Sequence, residues 1–135
     1  MTDFGTMLNA YPAALAHVDA DLLVLCVDEC LNCAQTATLC ADACLADSDR
    51  ADLSQCAGVA ANCADIAAST ARVVSRRTGF DAKVTEAVLQ ACVEACRSWY
   101  EECRRHALDH EYCRICGRAC ERCANRCRKV VTALR

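Results

Sequence analysis

Cysteine thiols are the side chains of this chain whose number and spacing can do chemistry. The chain has 15 cysteines in 135 residues, and most of them recur three, four or seven positions apart. Residues at those separations lie above one another on one face of an α-helix. The pattern therefore predicts helices that carry a stripe of thiols where an ordinary helix has Leu, Ile or Val. The predicted stripes are Cys26, Cys30, Cys33, Cys40 and Cys44; Cys56 and Cys63; Cys92, Cys96 and Cys103; and Cys113, Cys116, Cys120, Cys123 and Cys127.

Four uses of these thiols can be compared. Packing as small apolar residues accounts for one or two of them but not for the whole set. Disulfides are disfavoured because the count is odd and because cysteines three or four apart on one helix do not present the geometry that a disulfide requires. A thiol redox enzyme typically places a Cys-x-x-Cys motif at a helix N-terminus, whereas the motifs that begin at Cys30 and Cys120 fall in mid-helix. Metal binding is favoured.

The charge of the metal then separates the candidates. Zn²⁺ held by four thiolates leaves two negative charges uncompensated, and several such sites in a dry core are costly. The predicted inner faces carry no Lys or Arg to offset them. Cu(I) is soft and singly charged, so bridging thiolates approach about one metal per sulfur with little net charge, and a bundle can hold on the order of a dozen ions. A zinc or mixed-metal thiolate buffer and a thiol redox enzyme remain as alternatives.

These stripes require long helices in a single domain. The length suits one domain over residues 1–135, and Phe, Tyr and Trp supply only 4% of the chain, which predicts a thin core with closely spaced helices. We predict an all-α fold, an antiparallel up-down-up-down four-helix bundle with a short N-terminal helix. Asp19 or Asp21, and Asp81, are the expected N-caps. The predicted helices cover about 4–16, 19–46, 50–76, 82–107 and 111–134.

Apolar residues between the cysteines are expected to fold the bundle without metal, because protonated thiols are themselves apolar. This differs from zinc fingers, which need metal to fold. The residues expected to pack are Leu22, Leu23, Val27, Leu39, Leu53, Val59, Ile66, Val84, Val88, Leu89, Ile115 and Val130.

Two short connections meet at one end of such a bundle, which we call the mouth. Antiparallel order brings the turns at 47–50 and 106–111 together there, with Cys40, Cys44, Cys56, Cys103 and Cys113 nearby. His106 and His110 lie four positions apart beside these thiols and are predicted to receive the metal. Imidazole binds Cu(I) less tightly than thiolate, so it can pass an ion inward. Asp47, Asp49 and Asp52 lie at the rim, and His17 is interpreted as a solvated side chain.

Charge and composition limit the partners. The net charge of −3, with both signs interspersed, gives no electrostatic reason to bind nucleic acid or a membrane surface. The N-terminal residues lack a basic region followed by an apolar run, and no later stretch is judged long and apolar enough to span a bilayer. A cytoplasmic location is expected, which agrees with many free thiols.

The four thiol-striped helices, the Cys-x-x-x-Cys and Cys-x-x-Cys repeats and the histidine pair resemble the bacterial copper storage proteins. That family consists of four-helix bundles packed with Cu(I)-thiolate sites, and the resemblance covers the chain from Asp19 onward. It implies the cytosolic branch, a homotetramer, and storage and detoxification of many Cu(I) ions rather than an enzyme activity. Delivery by a copper chaperone or a small thiol is expected. The second helix carries only Cys56 and Cys63, which lowers the expected number of sites.

Overall fold

The computed structural model describes residues 2–15 and 18–135, so the interpretation of His17 lies outside the described residues. One short helix and four long helices account for most of this part of the chain. Their bounds are α1 Asp3–Asn9, α2 Ala20–Ala46, α3 Ser54–Ser75, α4 Ala82–His106 and α5 Glu111–Leu134. The predicted bounds of α2, α4 and α5 agree to within one residue.

The four long helices form a closed ring of contacts. Within the described residues, α2 packs on α3 and α5, and α4 packs on the same two helices, while α1 packs on α2. Connections of a few residues join the successive long helices, and such short connections make neighbours antiparallel. The predicted four-helix bundle is confirmed, and its central axis is the space that the thiol stripes face.

Two aspartates begin helices as the sequence predicts. Asp19 accepts hydrogen bonds from the backbone amides of Asp21 and Leu22, at 2.9 and 3.3 Å. Asp81 accepts from Lys83 and Val84, at 3.0 and 3.2 Å. Each carboxylate satisfies amides that have no partner inside the helix. These caps set the register at which the thiol stripes of α2 and α4 begin.

The predicted N-terminal helix over residues 4–16 is wrong in length. The helix α1 ends at Asn9, well before the predicted end. Pro12 lacks an N–H and disfavours helical geometry in the residue before it, Tyr11. The apolar periodicity of this segment therefore continued past the point at which a helix can form. Leu8 is still buried, as the amphipathic pattern requires.

The third helix also starts later than the predicted residue 50. Residues 47–53 instead form turns, in which the Asp47 side chain accepts a hydrogen bond from the Asp49 amide at 2.9 Å. The Asp49 carbonyl accepts from the amides of Asp52 and Leu53. Asp side chains compete with helix formation by bonding the backbone two residues on. The turn brings Asp47 and Asp49 to the mouth.

The core is largely sulfur and small side chains. Large fully buried residues include Trp99, Leu23, Leu53 and Leu89, of which Trp99 was not among the predicted packing residues. Three predicted packing residues are instead exposed: Leu39, Val84 and Ile115. The prediction that these three residues pack in the core relied on their apolar side chains alone. It was wrong because the thiol stripe already occupies the inward face of each helix.

The expectation that no stretch of the chain is long and apolar enough to span a bilayer is wrong for α2. The 27-residue helix α2 has a window with a mean hydropathy of 1.3, so it is long and apolar enough to cross a bilayer. This is weak support for a membrane span, because a core helix of a bundle passes the same test. Eight residues of α2, five of them cysteines, are buried in the bundle.

Chelator-treated, reduced protein is expected to be predominantly helical. Leu23, Leu53, Leu89 and Trp99 are buried independently of any metal ligand, and burial of large apolar side chains is the main favourable term in folding. Circular dichroism without metal should show strong helical minima that change little when Cu(I) is added. A random-coil spectrum that becomes helical only with Cu(I) would contradict a preformed bundle.

Candidate metal centre

All fifteen predicted cysteine ligands are buried, and none is in a disulfide. The closest sulfur pairs among them lie 3.6 to 4.0 Å apart, whereas a disulfide bond measures about 2.05 Å. The i, i+3 and i, i+4 spacing directs each sulfur toward the bundle axis. Small buried residues on α3, such as Ala60 and Ala67, let the helices approach closely enough for sulfurs from different helices to meet.

Eight sulfurs form what we call the distal cluster, in the half of the bundle away from the mouth. Cys30 lies 3.7 Å from Cys127 and 3.8 Å from Cys123. Cys33 and Cys63 lie 3.6 Å apart, and Cys63 lies 3.7 Å from Cys96. All four long helices contribute. The members are Cys26, Cys30, Cys33, Cys63, Cys92, Cys96, Cys123 and Cys127.

Six sulfurs form a second group, the mouth cluster. Cys40 belongs to two sets of mutually close ligand atoms, one with Cys44 and Cys56 and one with Cys103 and Cys116. Cys113 completes the group, since burial and the nearby charges of Cys40 and Cys44 raise the pKa of its thiol. The members are Cys40, Cys44, Cys56, Cys103, Cys113 and Cys116.

A layer almost without sulfur separates the two clusters. From their positions between the cysteines of the two clusters along each helix, we assign to this layer Ala37 on α2, Ala60 on α3, Trp99 on α4 and Cys120 on α5, all of them fully buried. Cys120 turns its thiol to the backbone, with its sulfur 3.1 Å from the Cys116 carbonyl oxygen and 3.3 Å from that of Gly117. Among the described residues, Cys120 therefore joins no group of metal-ligating atoms, although the stripe predicted it as a ligand.

The sulfur spacing suits shared metal ions. With a metal–sulfur bond of about 2.3 Å, two ligands of one ion lie about 3.8 Å apart in a tetrahedral site and about 4.0 Å apart in a trigonal one. The distances of 3.6 to 4.0 Å within the distal cluster match these values. Four sulfurs, Cys30, Cys92, Cys123 and Cys127, lie within 4.8 Å of one another. Such groups can hold metal ions with little movement of the helices.

The thiols of the distal cluster differ in how readily each one loses its proton. Hydrogen bonds from Cys123, Cys127 and Cys30 lower the pKa of the Cys92 thiol, while the same network raises the pKa of Cys123. A first thiolate is stabilised by neighbouring S–H donors, and a second negative charge a few ångströms away is opposed. The buried residues that the structure describes include no Lys or Arg, so no cation of the core offsets further charge. A bound cation would therefore replace the shared protons.

Two buried thiols are expected to make the chelator-treated bundle less stable in alkali. Burial raises the pKa of Cys113 and of Cys120 from 9.0 to about 12. Their contribution to stability is fully present below about pH 9 and is lost as the pH rises toward about 12, by up to about 1.4 kcal/mol per pH unit for each thiol. Cys26, whose pKa is lowered to about 5 by its hydrogen bond with Cys127, does not titrate in that window.

Guanidinium unfolding of the reduced protein at about pH 8 and about pH 10.5 measures this loss. Cys113→Ala and Cys120→Ala should each lose less stability between the two pH values than the unsubstituted chain. Equal stability at both pH values would show that these thiols are not held protonated by burial.

At the mouth, carboxylates hold the two predicted histidine ligands. His106 ends α4 and places Nε2 3.2 Å from Oε2 of Glu102. His110 precedes α5 and places Nδ1 3.2 Å from Asp47 and Nε2 3.4 Å from Asp49. The imidazole centroids lie 6.3 Å apart. His110 thus forms a ligand group with two aspartates rather than with thiols, and Asp52 is not part of that group.

Two further residues at the mouth, Glu102 and Tyr112, were not predicted from the sequence. Glu102 lies one helical turn before His106, and this i, i+4 spacing was its available signal. Tyr112 donates a hydrogen bond to Asp47 Oδ2 at 2.7 Å. Burial and this bond raise the pKa of Tyr112, while the Asp49 amide and the Tyr112 hydroxyl lower the pKa of Asp47. The tyrosine therefore stays protonated and keeps the Asp47 carboxylate oriented toward His110.

Comparison with known proteins identifies the family. The sequence model of the copper storage protein family matches residues 19–132, which include every cysteine and both mouth histidines. The chain belongs to the copper storage protein family. The family is described by copper storage, and the expectation that the chain is not an enzyme stays a prediction.

Solved structures of one family member are similar over nearly the whole chain. The copper storage protein Ccsp from Streptomyces lividans, loaded with 10 copper equivalents, has a TM-score of 0.95 at 46% identity and covers 97% of this chain and 99% of its own. A structure of a cytosolic copper storage protein from the same organism with five coppers has a TM-score of 0.82 at 47% identity, over 83% and 93%. The resemblance to copper storage proteins is confirmed, and copper is the metal carried by these relatives.

A more distant relative shares the cysteine-rich character. The uncharacterized cysteine-rich protein YhjQ of Bacillus subtilis is 30% identical over 105 residues, which span 78% of this chain and 92% of that protein.

A double histidine-to-alanine variant of the Streptomyces protein has a TM-score of 0.86 at 45% identity, over 88% of this chain and 100% of that one. The bundle of that relative therefore persists without those two imidazoles.

Proposed function

We propose that this chain stores many Cu(I) ions on the thiolates of its core and so protects the cell from excess copper. The observation that carries the proposal is the pair of buried sulfur clusters, with spacings of 3.6 to 4.0 Å in the distal cluster and no Lys or Arg among the buried core residues that the structure describes. The family supports copper as the metal. A single domain spanning residues 1–135 performs this function.

The clusters favour Cu(I) over Zn²⁺ for an electrostatic reason. Each Cu(I) that replaces one thiol proton leaves the charge of the core unchanged. Each Zn²⁺ closed by four thiolates adds two negative charges to a core that, in the described part of the chain, has no buried Lys or Arg. Thiolates that bridge two Cu(I) ions also let many ions share few sulfurs.

The proposed ligands are all the cysteines and the two mouth histidines. His106 and His110 receive the incoming ion, because they lie at the open end and their nitrogens are oriented by Glu102, Asp47 and Asp49. Carboxylate partners fix the ring orientation and raise the basicity of a ligating imidazole. The proposed thiolate ligands are Cys26, Cys30, Cys33, Cys40, Cys44, Cys56, Cys63, Cys92, Cys96, Cys103, Cys113, Cys116, Cys120, Cys123 and Cys127. Of these, Cys120 must turn its thiol away from the backbone carbonyls of Cys116 and Gly117 before it can bind a metal ion.

The cellular setting is part of the proposal. The protein acts in the cytoplasm, where a reducing environment keeps thiols free, and it receives copper from a copper chaperone or a small thiol. It binds neither nucleic acid nor a membrane. A homotetramer is proposed, supported by exposed leucines on the outer side of α2, including Leu25, Leu31, Leu39 and Leu45. Burial of such residues favours association.

Anaerobic titration with Cu(I) in the presence of a chromogenic Cu(I) chelator tests the proposal. The chain should withhold copper from the chelator until roughly one ion per thiol has bound, on the order of a dozen. Native mass spectrometry of the same samples counts the ions and the subunits. About one proton should be released for each Cu(I) bound, because the metal replaces a thiol proton.

The same measurements separate the alternatives. A few tightly bound Zn²⁺ ions, with little Cu(I) retained, would support a zinc or mixed-metal buffer instead. Failure to retain either metal, together with reversible disulfide formation, would support a thiol redox role. A mass of one subunit at micromolar concentration would remove the tetramer and leave copper storage intact.

A further inference from the structure

A groove between α4 and α5 lies beside the mouth, and copper storage in the core does not explain its charge. Its volume is about 210 Å³. Two cysteines of the mouth cluster, Cys103 and Cys113, line it. Three arginines line it as well: Arg104, Arg114 and Arg118. The groove therefore combines residues of the copper store with a positively charged wall.

The groove reaches the two mouth histidines. Ala107, which lines the groove, directly follows His106 in the chain. Arg114 lies one helical turn after His110, and its amide donates a hydrogen bond to the His110 carbonyl at 3.4 Å. The turn at residues 47–53, on the α2–α3 side of the mouth, is acidic. A negatively charged copper donor is therefore repelled by that turn and attracted to the groove.

Nearby carboxylates hold these arginines only weakly. Arg104 lies 3.8 Å from Glu101, with side chains 63% and 60% exposed. Arg114 pairs with Glu111, whose side chain is 68% exposed. Arg118 forms no ion pair with another of the described residues. Exposed ion pairs contribute little stability, so the carboxylate of a ligand can replace either glutamate at small cost.

The arginines of α5 also repel one another. Arg114, Arg118, Arg122 and Arg126 follow at intervals of four residues, so they are neighbours along one side of the helix. Like charges at this spacing disfavour a helix. Glu121 is the one carboxylate among the residues described as lining the groove, so its wall keeps an excess of positive charge. An anion bound there would reduce the repulsion.

We propose that this groove docks small anionic thiols that carry Cu(I), whose carboxylates are held by Arg104, Arg114 and Arg118. The inference rests on the proposed storage of Cu(I) and names the class of donor that loads the store. Arginine holds a carboxylate through two parallel hydrogen bonds. The size of the groove favours a small donor, because a protein donor needs an interface of about 1,000 Å² or more.

Copper transfer from such a donor is an exchange of thiolates. In the donor complex, two thiolates hold one Cu(I). Two thiols of the mouth cluster form bonds to the copper, the bonds to the two donor sulfurs break, and the two thiol protons pass to the departing sulfurs. The copper stays Cu(I) throughout. Docking holds the donor beside the mouth cluster during the exchange, which raises the rate of uptake but not the final capacity.

Two donors with the same thiol test the site. Glutathione has two free carboxylates, and its diethyl ester has none. At equal free Cu(I), stopped-flow uptake by the unsubstituted chain should be about tenfold faster from glutathione than from the ester, since opposite charges steer the encounter. Raising the salt concentration from about 50 mM to about 500 mM should remove most of this difference. S-methylglutathione, whose sulfur is blocked, should slow uptake from glutathione only.

A pair of charge-matched variants locates the docking site. Arg104→Ala combined with Arg118→Ala should slow uptake from glutathione about tenfold, while uptake from the ester and the final capacity stay unchanged. Arg72→Ala combined with Arg76→Ala removes the same charge from exposed positions at the other end of the bundle. This control should behave as the unsubstituted chain.

The outcomes separate docking from storage. Equal uptake from the two donors by the unsubstituted chain overturns docking at the groove and leaves copper storage standing. The same conclusion follows if both double variants slow uptake equally, or if the slowing extends to the ester. If neither donor loads copper, the storage function and the docking site are both overturned.

Discussion

Replacement of Cys30, Cys92, Cys123 and Cys127 with alanine is expected to remove about four Cu(I) ions from the capacity of the chain, at about one metal per sulfur. These sulfurs form the largest set of mutually close ligand atoms in the described residues. Alanine keeps the positions apolar and helical, so the bundle should remain folded. Chelator-competition titration measures the capacity, and circular dichroism checks the fold.

A matched single substitution sharpens this test. Cys120 is as deeply buried as the four but directs its sulfur to backbone carbonyls. Cys120→Ala should therefore cost at most one ion. Replacement of Cys113 and Cys116 in the mouth cluster should also lower the capacity. If the fourfold variant remained folded and kept full capacity, the distal cluster would not be a copper store.

The double replacement of His106 and His110 with alanine is expected to slow copper uptake by about tenfold or more while leaving the final capacity nearly unchanged. The two imidazoles stand at the mouth, whereas the thiols that we propose to hold most of the metal are buried. Stopped-flow mixing with a chelator-buffered Cu(I) donor measures the rate, and endpoint titration measures the capacity.

Two further variants test whether slower copper uptake results from loss of the imidazole ligands or from any change of a side chain at the mouth. Asp47→Asn keeps the size of the side chain that His110 and Tyr112 contact but weakens the orientation of the imidazole, so it should slow uptake less than loss of both rings. His17→Ala, at the histidine that the sequence assigns to solvent, should leave the rate unchanged. Unaltered uptake in the double histidine variant would return both residues to an ordinary surface role.

Local patterns explain why so much of the fold was predictable. The spacing of three and four that places Cys26 above Cys30 and Cys33 is a property of any α-helix. Asp19 and Asp81 cap helices through bonds to amides only two or three residues away. Errors arose where another local effect was stronger, as at Pro12, which ended the N-terminal helix early, and at Asp47, whose turn delayed the third helix.

The sequence by itself determined that this protein is a thiol-lined helical bundle, and its cysteine pattern was specific enough to indicate the family. Only the tertiary structure decided which sulfurs meet: Cys30 with Cys123 and Cys127 in one cluster, Cys40 with Cys103 in the other. It also turned Cys120 to the backbone and paired His110 with two carboxylates. These outcomes depend on how far each helix is rotated and shifted along its neighbours, because ligands of one site come from different helices. Periodicity within one helix carries no information about that offset.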